Sequence, residues 1–173
     1  MSPTLYSEGF FKPNLLFGSV EYDVDLSQID CGCAAMFYLV ALPAIGSDGK
    51  PHNTDGYYYC DANNISGEWC PEFDIMEANR FSWRTTAHTC EGEGPHYNTC
   101  DRAGKGVTDL QNKNYPAGMI GKTGKISTDK PFHVKIEFGS QSYKLSLTQG
   151  DEYDITESST EAASYLGEIA KSL

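Results

Sequence analysis

Trp69-Cys70-Pro71-Glu72-Phe73-Asp74-Ile75-Met76-Glu77-Ala78-Asn79 is the stretch whose reading decides the fold, because it sets three carboxylates into an otherwise apolar run. Side chains alternate across a strand, so Glu72 and Asp74 share one face. Glu77 has the opposite parity. It joins that face only if a β-bulge between Asp74 and Glu77 inserts one extra residue. The plain alternative is a solvated strand edge that happens to carry acids. Like charges held close together repel and raise one another's pKa values, so three on one face ask for a reason. The pattern therefore predicts a bulged strand that turns Glu72, Asp74 and Glu77 toward a common cleft.

Working outward, Asn63 to Gly67 reads as a loop leading into the acidic strand, and Tyr57 to Asp61 as a short aromatic strand before it. Ala34 to Leu42 is almost continuously apolar between Gly32 and Pro43, which predicts a central strand covered on both faces. Val20, Tyr22, Val24 and Leu26 alternate with Glu21, Asp23 and Asp25, the pattern of a half-buried strand. After Asn79, the segment 80–124 shows little periodicity and reads as loops with at most short strands. Phe132 to Phe138 and Tyr143 to Leu147 alternate on either side of Gly139-Ser140-Gln141, a hairpin. Ser158-Ser159-Thr160-Glu161 resembles a capping box, and Ala162, Leu166, Ile169 and Leu173 form one helical stripe, so a short C-terminal helix is expected. Short strands, many turn signals and few helices predict an all-β, antiparallel β-sandwich with a concave cleft, in one domain spanning 1–173.

Composition narrows the function. A net charge of -11 argues against nucleic acid or an anionic membrane surface as partner, since phosphate binding needs clustered Lys and Arg. No apolar run in the sequence is long enough to span a bilayer. Eleven Tyr among 173 residues supply rings that can stack on the apolar face of a neutral ligand such as a sugar. Six Cys favour an oxidising compartment, and Asn64-Ile65-Ser66 is a glycosylation sequon, so a secreted, extracellular glycoprotein is expected. Met1-Ser2-Pro3-Thr4-Leu5 has neither a basic n-region nor an apolar h-region, which predicts either a removed signal or a longer parent chain.

Two carboxyl groups about 5–5.5 Å apart are what a retaining glycosidase uses, one as nucleophile and one as proton donor. With those residues in view, the chain resembles the middle part of glycoside hydrolase family 7, the cellobiohydrolases and endoglucanases. The resemblance rests on Cys70-x-Glu72-x-Asp74-x-x-Glu77-Ala78-Asn79 followed by Ala87-His88-Thr89-Cys90. It extends to Leu16-x-Gly18 before Tyr22-Asp23-Val24-Asp25, to Cys31-Gly32 before Phe37-Tyr38, to Tyr59-Cys60-Asp61 and, more weakly, to Lys130-Pro131-Phe132-His133-Val134. A more distant similarity runs to the family 16 β-glucanases. The resemblance implies a concanavalin-like jelly roll that cleaves β-1,4-glucan by double displacement, with Glu72 as nucleophile, Glu77 as acid/base and Asp74 as the supporting carboxylate. It implies substrate contacts from Tyr38, Tyr59, Asp61, Asn63 and His88, and disulfides Cys60–Cys70 and Cys90–Cys100. Polysaccharide is the expected partner, the chain is expected to be a monomer, and neither cofactor nor metal is expected. A rival reading takes His88, Cys90, His96 and Cys100 as four zinc ligands.

The chain also departs from the family. Met76 stands where the family has Trp, Ala34 where it has Asn, and Asn63 where it has Gln. The basic residue before Cys100 and the Cys-Asp-Trp after it are missing, so the family's product-side sugar contacts do not carry over. Cys31 and Cys33 are too close in sequence to bridge without strain. The chain is less than half a typical member's length, which predicts an incomplete sandwich or a fragment. Two competing functions follow: a glucan-binding relative without turnover, and a family 16-like enzyme for β-1,3 or mixed-linked glucan.

Overall fold

The computed structural model describes residues 10–52, 57–92, 94–109, 119–150 and 153–159, with only the backbone described in 106–109 and 153–159. Its strands are β1 (Ser19–Val24), β2 (Ala35–Val40), β3 (Glu72–Ala78), β4 (Trp83–His88), β5 (Cys90–Glu91), β6 (Thr99–Cys100), β7 (Lys105–Asp109), β8 (Ile120–Gly121), β9 (Ile126–Ser127), β10 (Phe132–Phe138), β11 (Tyr143–Gln149) and β12 (Tyr153–Ser159). One four-stranded sheet runs β1-β10-β11-β12 and the other β2-β3-β4-β7, both antiparallel throughout. The small β5-β6 pair is antiparallel and β8-β9 parallel.

The two large sheets share one core. Phe73 and Ile75 of β3 and Trp83 and Ala87 of β4 meet Phe132, Val134 and Ile136 of β10 and Tyr143, Leu145 and Leu147 of β11. Phe73 lies edge-on to Phe138 and Tyr143 at centroid distances of 5.6 and 5.3 Å, favourable geometries for aromatic pairs. Phe73 and Ile75 thus spend their apolar area on the sandwich, which leaves Glu72 and Asp74 for the opposite face.

The parity of Glu77 is solved as expected. Asp74 pairs with Thr86 and Glu77 with Arg84, so Ile75 and Met76 together oppose Thr85 alone. A bulge leaves a backbone carbonyl without its ladder partner, and here a side chain supplies one. The Thr85 hydroxyl donates to the Ile75 carbonyl at 2.9 Å while accepting from Trp83 Nε1 at 3.1 Å. All of these groups lie in the interior, so the small network locks the bulge in place.

Several expectations are corrected. β2 is not central. Among the described residues it pairs only with β3, at the margin of its sheet, and Met36 and Phe37 are 52% and 36% exposed. Its apolar sequence reflects the capacity for a second covering, and among the described residues no strand supplies it. Residues 57–61 do not form a strand. Tyr58 and Asn64 take left-handed backbone conformations, and a single bridge between Asp61 and Trp69 is all that links this segment to the next as a ladder. Conversely, β4 is a full strand within the region read as loop. Of the expected C-terminal helix, Ser158 and Ser159 belong to β12, and 160–173 lies outside the described residues. Among the described residues, no helix is long and apolar enough to cross a membrane.

Candidate active site

The cleft-facing side of β3 and β4 carries the site. Register sets Glu72 opposite His88 and Asp74 opposite Thr86. Glu72, Asp74, Glu77, Arg84 and His88 line a cleft of about 120 Å³, with Asn63 at its mouth. A second hollow of about 270 Å³ shares Glu77 and Arg84 and continues along Asn79 and Ser82. Glu77 therefore stands where two stretches of cleft meet.

Each acid is held differently. Glu72 is buried, and its Oε2 accepts the Ala62 backbone N–H at 3.0 Å. Burial and the neighbouring Asp74 charge push Glu72 up to about 7, against the pull of that hydrogen bond and of His88. Glu77 is half-buried. Its pKa is also raised, by burial and then by Asp74, with Arg84 opposing. Asp74 receives His88 Nε2 at 3.0 Å on Oδ2, while its Oδ1 is buried without a partner.

His88 is fixed from both ends. Its Nδ1 lies 2.7 Å from the Asp101 carbonyl, which can only accept, so Nδ1 carries a hydrogen and Nε2 is the nitrogen turned to Asp74. Burial alone would lower its pKa, but the bonds to Asp74 and Asp101 and the charges of Asp74 and Glu72 outweigh it and raise the value. A tight turn presses on the ring. Gly104 has φ +66°, and a Cβ there would come within 2.8 Å of His88 Cε1 and 2.9 Å of the Ala87 carbonyl, so only glycine fits. Asp101 caps that turn through Oδ1, which accepts from the N–H groups of Ala103 and Gly104.

The remaining sequence-predicted residues lie around this centre in different ways. Tyr59 donates to the Tyr38 hydroxyl at 3.3 Å, and burial followed by that contact raises the Tyr59 pKa. Neither ring lines the 120 Å³ cleft. Asp61 is 1% exposed, and its Oδ1 accepts the N–H groups of Asn63 and Ile65. It shapes the loop through an Asx turn on that oxygen, and it is not among the residues lining the 120 Å³ cleft. Asn63 is exposed, and its carbonyl accepts Arg102 Nη2 at 3.0 Å, while the Arg102 guanidinium lies over the Trp69 ring at 5.1 Å. Asn79 holds the turn after β3, accepting from the backbone of Phe81 and Ser82.

Cys60–Cys70 and Cys90–Cys100 are disulfides, and Cys31 and Cys33 are free and exposed. This overturns the zinc reading of His88, Cys90, His96 and Cys100. Both cysteines are consumed by the bridge, His88 is turned to Asp74, and His96 Nδ1 meets the Ile45 carbonyl. Thr85, Asp101, Arg102 and Gly104 have roles that sequence reasoning missed. Glycine and aspartate spaced as Asp101-x-x-Gly104 signal a turn, but nothing local says which ring that turn touches.

No family model matches the chain. Endoglucanase 1 of Humicola insolens is 30% identical over 142 residues, covering 68% of this chain and 35% of that protein. A probable endo-beta-1,4-glucanase of Aspergillus clavatus is 28% identical over 167 residues, 79% of this chain and 39% of its own length. The solved glycoside hydrolase family 7 cellobiohydrolase of Daphnia pulex superposes with a TM-score of 0.66 at 24% identity, over 82% of this chain and 45% of that one. The chain is a relative of glycoside hydrolase family 7. As a family 7 relative it spans 35–39% of the length of these curated proteins.

Proposed function

We propose that this family 7 relative carries the catalytic strand of a secreted, monomeric, retaining glycoside hydrolase that acts on β-1,4-glucan within a concanavalin-like jelly roll. The reading rests on one observation above all: the bulge at Ile75-Met76 returns Glu77 to the face occupied by Glu72 and Asp74. The names of the curated relatives, endoglucanase and endo-beta-1,4-glucanase, support the substrate class.

In this mechanism a Glu72 oxygen attacks the anomeric carbon as the glycosidic C–O bond breaks, and the Glu77 proton passes to the departing oxygen. Water then attacks the same carbon, returns its proton to Glu77 and releases Glu72 as carboxylate. Asp74 and the His88 ring bonded to it sit beside the nucleophile, and the ring's raised pKa favours its charged form there. Asn63 offers its amide to sugar hydroxyls from the loop, and Tyr38 and Tyr59 border the approach.

The ligand-free site resists these roles in one respect, since Glu72, pushed up to about 7, competes for the proton that the mechanism needs on Glu77. Glu72 and Glu77 both have raised pKa values, each from burial and the Asp74 charge, so the proton can sit on either glutamate. Glu72 is already buried, whereas Glu77 is still half in water. A sugar seated across the two hollows strips water mainly from Glu77, raising it further and drawing the proton to the donor. The test is hydrolysis of β-1,4, β-1,3 and mixed-linked glucans by the chain and by Glu72→Gln and Glu77→Gln. Release of reducing ends from β-1,4-glucan, lost in both variants, is expected. Equal hydrolysis by folded variants contradicts the assignment, and tight oligosaccharide binding without release points to a binding relative.

A further inference from the structure

Asp74 Oδ1 poses a problem that hydrolysis does not solve. A buried acceptor without a partner is rare and calls for an explanation, an ion among the candidates. Around it, Glu72, Asp74 and His88 each offer one ligand atom, and all of these atoms lie within 4.8 Å of one another. The three residues are 5%, 3% and 6% exposed, so their geometry is set by packing and backbone register.

His88 is prepared as a ligand. Metal-binding histidines usually donate their second ring N–H to a carbonyl or carboxylate, which fixes the tautomer and turns the other nitrogen to the ion. The Asp101 carbonyl performs this at 2.7 Å, and Gly104 packs the ring edge. Nε2 then points at Asp74 Oδ2 across 3.0 Å, a gap bridged by a proton in the ligand-free chain. The cationic side chains nearby are engaged elsewhere: the Arg84 charge acts on Glu77, and Arg102 is tied to the Asn63 carbonyl and the Trp69 ring.

We propose that Glu72, Asp74 and His88 form a binding site for Zn²⁺, with one carboxylate oxygen from each acid, Nε2 of His88 and a fourth position open to water. Two oxygens and one imidazole nitrogen suit zinc in its open, three-ligand mode. The ion takes the place of the proton between His88 and Asp74, and Asp74 Oδ1, the oxygen that this hydrogen bond leaves without a partner, is the one free to accept it. This is not a resident cofactor. Zinc bound here occupies the nucleophile's carboxylate, so it is a reversible inhibitor that competes with sugar for the same cleft. Binding of the ion does not depend on the hydrolytic reading, and the two can fail separately.

The alternative histidine sites lie outside this cleft. His52 and His96 both address Glu68, with Nδ1 at 2.8 and 3.6 Å, and His133 Nδ1 lies 3.0 Å from Asp23. These serve as controls. The experiment titrates the whole chain with Co²⁺, read by its visible absorption, and then displaces it with Zn²⁺. One equivalent of Co²⁺ is expected to give the intense band of a four-coordinate site and to be displaced by Zn²⁺. Glu72→Gln, Asp74→Asn and His88→Gln, each checked for an unchanged melting transition, are expected to weaken binding at least about tenfold. His96→Gln and His133→Gln are expected to stay within about twofold, because neither residue touches the site. The proposal is overturned if the wild-type chain gives no band with excess Co²⁺. It is equally overturned if binding survives in folded Glu72→Gln and His88→Gln, or is lost in His96→Gln or His133→Gln. Metal binding without glucan hydrolysis would refute the proposed reaction and leave this site standing; hydrolysis insensitive to Zn²⁺ would do the reverse.

Discussion

β10 and β3 are strands of equal length in facing sheets, and they treat charge in opposite ways. β10 alternates without interruption, and its polar face answers each charge with its opposite. Lys135 lies 3.2 Å from Glu21 and 3.6 Å from Glu137, Lys144 lies 3.7 Å from Glu137, and His133 lies 3.0 Å from Asp23. β3 breaks its alternation with a bulge, gathers three acids on one face and buries two of them. One strand spreads matched charge over a solvated surface, where each pair contributes little. The other concentrates three acids against His88 and Arg84 where water is scarce, and both of its glutamates are held with raised pKa values. A sheet face organised for folding and one organised for chemistry are thus distinguished by how their charges are paired, not by how many they carry.

Breaking the acidic face is expected to have the largest effect. Glu77→Gln removes the proton donor and is expected to lower the rate of glucan hydrolysis by about 10²–10⁴-fold. Glu72→Gln should cost at least as much, since no covalent intermediate can form, while the melting temperature shows that both variants remain folded. Next comes the bulge. Thr85→Val keeps shape but strips the hydroxyl from the Ile75 carbonyl and Trp83 Nε1, leaving two buried groups unpaired. A loss of about 1–3 kcal/mol in denaturant unfolding is expected.

The third prediction concerns pH. Glu72 and Glu77 have folded-state pKa values above the ordinary carboxylate value, so the folded chain holds protons that the unfolded chain has released. Stability from these groups is full below about pH 4.5 and falls as pH rises toward about 7. The raised His88 value works in the same direction, its contribution being lost as pH climbs through the folded pKa. Thermal melts from pH 4 to 8 are expected to show the fall, and Glu72→Gln is expected to flatten it. Smallest is the matched strand: Lys135→Ala is expected to change stability by less than about 1 kcal/mol, an effect that shrinks in salt.

The same contrast explains what the sequence disclosed. Regular β10 and β11 were legible because alternation is a local signal. The bulge was legible for a different reason: Glu77 has the wrong parity, and only an inserted residue resolves it. β4 was missed because Thr85 and Thr86 look like loop residues, although Thr85 is buried with its hydroxyl bonded to backbone. The apolar run of β2 shows what a strand can tolerate on both faces and says nothing about which neighbours are present, so by itself it predicts a central strand. In the candidate site, the acids and His88 stood out by residue type. Asp101 and Gly104, which hold the imidazole, are turn residues whose tertiary contact leaves no mark on local sequence. The resemblance implies a substrate contact from Asp61, and the structure buries this residue and gives its Oδ1 to the N–H groups of Asn63 and Ile65.

The most direct test of the central claim follows the anomeric configuration of the first product released from a β-1,4-linked cello-oligosaccharide by this chain, using proton NMR during the first minutes of reaction. Double displacement at Glu72, with Glu77 on the same face, predicts that the β-anomer appears first and then mutarotates. The α-anomer appearing first, or no product from a folded chain, would contradict it.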